Sequence, residues 1–191
     1  MVFYPAGPYL RAYGTTAMTA YVAFLRGVNV GGNNLVSKND LAAIGEHAGL
    51  SGVRTYLASG NILFTGTRPE GELAAALEKE LAETTGKEIR VAIRSAQELE
   101  EIVAGNPFPD KVPSQVGVLL VAGPVKKEVL QEFVTPGRES VGIGRREVYV
   151  HYPDGMGRSK LKIPASVRDG TMRNIGTLAK LAGLAAEIPG R

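Results

Sequence analysis

Val53-Arg54-Thr55-Tyr56-Leu57-Ala58-Ser59-Gly60-Asn61-Ile62-Leu63-Phe64-Thr65 is the stretch whose reading decides the fold. Val53–Ala58 and Ile62–Thr65 have strand composition, and Ser59-Gly60-Asn61 between them makes a tight hairpin connection. Upstream, Tyr21–Leu25 (YVAFL) is an unbroken apolar run of a length that suits a strand buried on both faces. It ends in Arg26 and a loop rich in Gly and Asn. Ser37-Lys38-Asn39-Asp40 then reads as a capping box opening a helix, with Leu41, Ile44 and Ala48 on one face and Gly49 as its stop.

Downstream of the hairpin, Thr67 and Glu70 read as a second capping box, with Pro69 tolerated in the first turn. Leu73, Leu77 and Leu81 form a buried stripe, Gly86 closes the helix, and Ile89–Ile93 is a fourth strand. The order is β-α-β-β-α-β, the split βαβ or ferredoxin-like unit.

The second half echoes it. Ser95 with Glu98 caps a helix carrying Leu99, Ile102 and Val103, closed near Gly105, and Asn106-Pro107-Phe108-Pro109 is a rigid loop. Val116–Val121 is an apolar strand. A helix is predicted from Pro124 with Val125, Val129, Leu130 and Phe133 facing inward. Val141–Ile143 and Val148–Tyr152 form a hairpin around Gly144-Arg145-Arg146. Ser159 is placed to cap a short helix interrupted by Pro164, and a final helix runs from Asn174 or Ile175 to Leu184. The pattern repeats but the residues do not. The expected fold is α+β, two ferredoxin-like (split βαβ) subdomains packed into one unit, at 18–95 and 96–191. Residues 1–17 show neither a helical nor a strand period, nor the apolar stretch of a secretory signal, and are read as a non-core extension.

Composition is that of an ordinary globular chain: 191 residues, 44% hydrophobic, 21% charged, net charge +3. No apolar run approaches the roughly 18 residues that span a bilayer. The absence of cysteine removes disulfides, thiolate metal sites and thiol nucleophiles, and points to a cytoplasmic location. With only His47 and His151, no metal site is expected, and no cofactor is indicated. The basic excess is concentrated between Arg138 and Arg173, where eight Arg or Lys face four Asp or Glu.

Two segments carry candidate chemistry. In Leu25-Arg26-Gly27-Val28-Asn29-Val30-Gly31-Gly32-Asn33-Asn34, glycines allow a ligand close to the backbone and Arg26 supplies an anion contact. The spacing matches neither G-x-G-x-x-G nor a P-loop, and a strand-to-helix turn explains the glycines equally well. The late basic stretch offers Arg158, Ser159, Lys160, Lys162, Arg168, Arg173 and Asn174, the last at a helix start that favours anions; its alternative is a solvated basic face. No acid–base or nucleophile pair is evident, and a Ser59–His47 hydrolase has no spacing to support it.

The segments LRGVNVGGNN, YLASGNILF, NPF, HYPDGMGRSKL and TMRNIGTLAKL, from about Met18 to Leu184, resemble the protein family catalogued as domain of unknown function 1697. That resemblance implies two packed ferredoxin-like subdomains and no established activity, substrate or cofactor. The polar signature it implies falls on Arg26, Asn29, Gly31, Gly32, Ser59, Asn61, Ser159, Lys160, Arg173 and Asn174. Two departures stand out: Ile175 where the family usually has tryptophan, and Pro164 in a stretch usually helical. The leading expectation is a small anionic, phosphate-bearing ligand held between the Arg26–Asn34 loop and the Arg158–Asn174 segment. RNA binding on a sheet face and a ligand-free interaction or oligomerisation scaffold are the alternatives; nothing points to a membrane.

Overall fold

The computed structural model describes residues 18–28, 36–57 and 60–188, so the residues 1–17 read as an extension lie outside the described residues. Two four-stranded antiparallel sheets organise the chain. The first contains β1 (Thr19–Leu25), β2 (Ser51–Tyr56), β3 (Asn61–Gly66) and β4 (Val91–Ser95), in the order β2-β3-β1-β4. The second contains β5 (Val116–Leu120), β6 (Ser140–Ile143), β7 (Glu147–His151) and β8 (Thr171–Asn174), in the order β6-β7-β5-β8. The two orders correspond strand for strand. In both, the first strand lies between the third and the fourth.

Alternation along β1 assigns its two faces. Ala23 and Leu25 join Ile62 and Phe64 of β3 and the inner stripes of α1 (Lys38–His47) and α2 (Glu70–Thr85). Val22, Phe24 and Leu63 point the other way, into a layer formed by α3 (Ala96–Ala104) and α5 (Ile175–Ala186). The opposite side of that layer meets Val116, Val118 and Leu120 of β5. One apolar core, centred on α3 and α5, is therefore shared by both sheets.

The outer face of the second sheet is covered differently from the first. Only one turn of helix, α4 (Val129–Glu132), forms where a longer helix from Pro124 is predicted. Val125 instead donates its N–H to the Arg145 carbonyl, and Leu130 is exposed rather than inward. The helix expected after Ser159 is also absent: Leu161, Ile163 and Val167 cross the sheet in irregular chain, pinned by a bridge between Lys162 and Val134. Thr171–Asn174 is a strand that the sequence pattern does not reveal, because it is short and mostly half-buried. Gly170 brings it in. A Cβ there would lie 2.7 Å from the Leu120 carbonyl oxygen, so a side chain would push β8 off β5.

The capping boxes of Ser37 with Asp40 and Ser95 with Glu98 form as expected, but the Thr67–Glu70 box does not; α2 starts after Pro69 with no side-chain cap. The second predicted strand stops at Tyr56, and Leu57 adopts a left-handed φ of 57°.

Each sheet ends in the same local device. Arg94 precedes Ser95, which caps α3; Arg173 precedes Asn174, whose Oδ1 accepts from the Thr177 N–H to cap α5. Each arginine turns its guanidinium onto the other half. Arg94 is wholly buried, and its Nη2 donates to the carbonyls of Val121 (2.6 Å) and Arg146 (2.9 Å) in the second half. Arg173 donates from Nη2 to the carbonyls of Leu25 (3.0 Å) and Gly60 (3.1 Å) in the first. Burial, then the nearby Arg146 charge, lowers the Arg94 pKa to about 10, offset in part by Glu70 and Glu98. Around Arg94, Arg146 makes a two-pronged pair with Glu70 (2.5 and 3.0 Å) and reaches Glu98 at 3.2 Å.

Two outcomes follow from this packing. Residues 18–95 expressed alone expose Val22, Phe24 and Leu63 and lose the carbonyls that satisfy Arg94. Such a fragment should show dye-binding, non-cooperative behaviour in thermal circular dichroism; a sharp, reversible melt would contradict the shared core. In the full chain, Arg94→Met should destabilise by about 3–5 kcal/mol in urea titration, because it strands buried acceptors beside a remaining charge cluster. Arg94→Lys should fall between, keeping the charge without the fork.

The cluster also gives a pH dependence. Burial alone would raise the Glu98 pKa, but the Ser95 N–H and the charges of Arg146, Arg94 and Arg145 hold it below the ordinary value. Its folded pKa is thus depressed, so its contribution is complete above the unfolded glutamate pKa and disappears as pH falls through the folded value. Glu98→Gln should flatten the acid limb of a stability–pH curve.

Candidate functional site

The register of β1 on β4 pairs Leu25 with Val91, and one step further the Arg26 N–H donates to the Arg90 carbonyl at 2.9 Å. Arg26 and Arg90 are therefore cross-strand neighbours, an arrangement unfavourable for two like charges. Both side chains are solvent-facing, 43% and 63% exposed. They line one cleft of about 370 Å³ between the two halves. The first half contributes Arg26, Glu78 and Arg90–Ala92; the second contributes Leu120–Pro124, Ser166–Val167 and Asp169–Thr171.

Each rim arginine meets one carboxylate. Arg26 Nη1 lies 3.3 Å from Asp169 Oδ1, a contact that crosses the cleft. Arg90 Nη1 lies 3.3 Å from Glu78 Oε2, while Glu78 Oε1 accepts from the Val91 N–H at 2.9 Å. Glu78 therefore also fixes the start of β4. Asp169 is 85% exposed and has no other hydrogen-bond partner among the described residues.

Arg173 stands behind this rim and is fully engaged. Nε donates to Asn61 Oδ1 at 2.7 Å, Nη1 to Thr171 Oγ1 and the Met172 carbonyl, and Nη2 to the Leu25 and Gly60 carbonyls. Its guanidinium also lies 5.8 Å above the Phe24 ring, and burial lowers its pKa to about 10. Asn61 is equally fixed: its amide donates to the Tyr56 carbonyl at 2.9 Å. Gly60 makes this junction possible. Its φ is +77°, and a Cβ there would come within 3.0 Å of the Leu25 side chain.

Of the residues picked from the sequence, Arg26, just past the end of β1, Asn61 and Arg173 meet around this junction, whereas Asn174 lies opposite Gly117 and caps α5. Asn29, Gly31, Gly32 and Ser59 lie outside the described residues. Ser159 and Lys160 are elsewhere, in a hollow of about 160 Å³ with Gly137, Glu139 and Tyr152–Asp154, beyond the end of β5 remote from Leu120. There the Ser159 hydroxyl donates to Glu139 at 2.5 Å and accepts from the Leu161 N–H, so it shapes a turn. Arg90 carries no signal in the sequence, and Asp169 reads there only as one of four candidate carboxylates, with Asp40, Asp110 and Asp154. Arg90 reads as the lead-in to a strand, and only the β1–β4 register reveals its alignment with Arg26.

The cleft has no histidine among its described lining residues, and its two carboxylates are each held by an arginine. Among the described residues, no group of three His, Asp or Glu could hold a metal ion. The charged groups lining the cleft are Arg26, Arg90, Glu78 and Asp169. No helix among the described residues is long and apolar enough to cross a membrane.

Among solved structures, the chain is similar to the conserved bacterial protein SP0830 from Streptococcus pneumoniae. The TM-score is 0.71 at 22% identity, covering 88% of this chain and 99% of that one. At that identity the likeness is one of fold. No curated protein matches the chain. The model of the family described as protein of unknown function (DUF1697) matches residues 18–149, and the chain belongs to that family.

Proposed function

We propose that the protein binds a small anionic, phosphate-bearing ligand in the cleft between its two sheets, with Arg26 and Arg90 as the primary contacts. The observation that carries this reading is the cross-strand opposition of those two arginines on one cleft rim. Two guanidinium groups held on adjacent strands gain from an anion placed between them, and each can present a pair of parallel N–H donors to it. The exposed ion pair with Asp169 is no obstacle, since such pairs contribute about 0–1 kcal/mol.

In this reading Arg173 and Asn61 are positioning residues. Their donors hold the Leu25 and Gly60 backbone, and so set where Arg26 emerges. The segments containing Asn29, Gly31, Gly32 and Ser59 adjoin this junction in sequence and are proposed to complete the site. Ser159 and Lys160 belong to a separate hollow. We assign the chain to the cytoplasm on its cysteine-free composition. We read residues 18–95 and 96–191 as two ferredoxin-like subdomains, a reading that the matching strand orders favour.

RNA binding on an open sheet has less support. Both faces of β1 are packed against helices, leaving no exposed aromatic strand there of the kind RNA-recognition modules use.

Calorimetric titration with inorganic phosphate and pyrophosphate tests the proposal. Saturable binding is expected, and Arg26→Gln and Arg90→Gln should each weaken it about tenfold or more, the scale of a lost charge-assisted hydrogen bond. Equal affinity in both variants, or no binding by the parent chain, would overturn it.

A further inference from the structure

The walls of the cleft narrow the class of anion, an inference that rests on the binding function proposed above. Val91, Val121 and Val167 offer the small aliphatic surface of the cleft, while its charges sit at Arg26, Arg90, Glu78 and Asp169. No aromatic side chain is among the described lining residues. Recognition of a nucleobase depends heavily on aromatic stacking, which these walls do not offer. The volume of about 370 Å³ lies near the small end of ligand pockets, about 300–1,000 Å³. The two rim arginines can present paired N–H donors to the oxygens of a phosphate monoester, with Glu78 remaining on Arg90 and the Val91 N–H.

Asp169 adds the second observation. It comes from the other half of the chain, is largely exposed, and places a carboxylate oxygen on the Arg26 guanidinium. Among the described residues nothing else accepts from that guanidinium. The one acceptor on Arg26 among the described residues is thus an anionic side chain standing where a ligand oxyanion would go.

We infer that the ligand is a phosphate monoester with a short aliphatic body, and that its head group displaces Asp169 from Arg26. Asp169 acts as a tethered competitor: it neutralises the rim of the empty cleft and gives way on binding. The aliphatic body then lies along Val91, Val121 and Val167, whose remaining accessible surface it covers, adding affinity in proportion to that small apolar area.

Calorimetry with n-butyl phosphate, inorganic phosphate and adenosine monophosphate, on the full chain, separates the possibilities. Asp169→Asn should bind n-butyl phosphate about two- to fivefold tighter than the parent, the scale of an exposed ion pair. Asp110→Asn, which removes the same charge from an exposed position outside the cleft, should leave the affinity unchanged. Butyl phosphate should bind more tightly than inorganic phosphate, and adenosine monophosphate less tightly than butyl phosphate. No gain in Asp169→Asn, an equal gain in Asp110→Asn, or preference for the nucleotide would overturn the inference. If Arg26→Gln still weakens phosphate binding in that event, the anion site stands and only its ligand class and competitor fall. Failure of every phosphate to bind would remove both.

Discussion

Arg94 leaves the first sheet to bond carbonyls of the second, and Arg173 leaves the second to bond carbonyls of the first. Around this exchange the two sheets share one apolar layer of α3 and α5. Apolar burial is non-directional and would tolerate small slips of one sheet over the other. The guanidinium groups remove that freedom, because their donors must meet backbone oxygens at fixed places. Burying such groups is unfavourable in itself, as the lowered pKa of both arginines shows. Hydrogen bonding offsets most of that penalty, although Arg94 Nε has no partner among the described residues.

The cleft follows from the same geometry. Where β4 meets the end of β5, the helical layer no longer separates the sheets, and the space between them opens to solvent. Arg173, half-buried at this junction, is engaged by protein acceptors; the arginines on the rim are exposed, and each faces one carboxylate. Burial therefore divides the cations into two roles. Arg173 fixes backbone, and Arg26 and Arg90 face solvent.

Much of the first sheet was legible in the sequence because its cues are local. The Ser37 and Ser95 capping boxes and the Leu73–Leu77–Leu81 stripe depend on spacings of three or four residues. The errors occur where a distant partner decides. Thr171–Asn174 is a strand only because β5 offers it an edge, and the run from Pro124 lacks a stable helix because Val125 bonds to Arg145. Arg94 reads locally as a polar residue at a strand end, yet it is fully buried because its acceptors lie at 121 and 146. The candidate site divides in the same way. Arg26 was identifiable from the apolar strand that anchors it, whereas Arg90 and Asp169 join it only through pairings across the fold. Ser159 and Lys160 belong to the same basic stretch as Arg173 but are carried to the far end of the second sheet by the irregular crossing between β7 and β8.

The strand–arginine–cap–helix device at the end of each sheet bears on how freely the halves can be recombined. Each half keeps its acceptors in its own backbone and sends its donor away. Neither half is a portable cassette. Grafted onto a foreign partner, it would bring one arginine whose Nη2 has lost its acceptors and a set of carbonyls with nothing to bond them, whatever the match in apolar surface. The junction between halves has to be inherited whole.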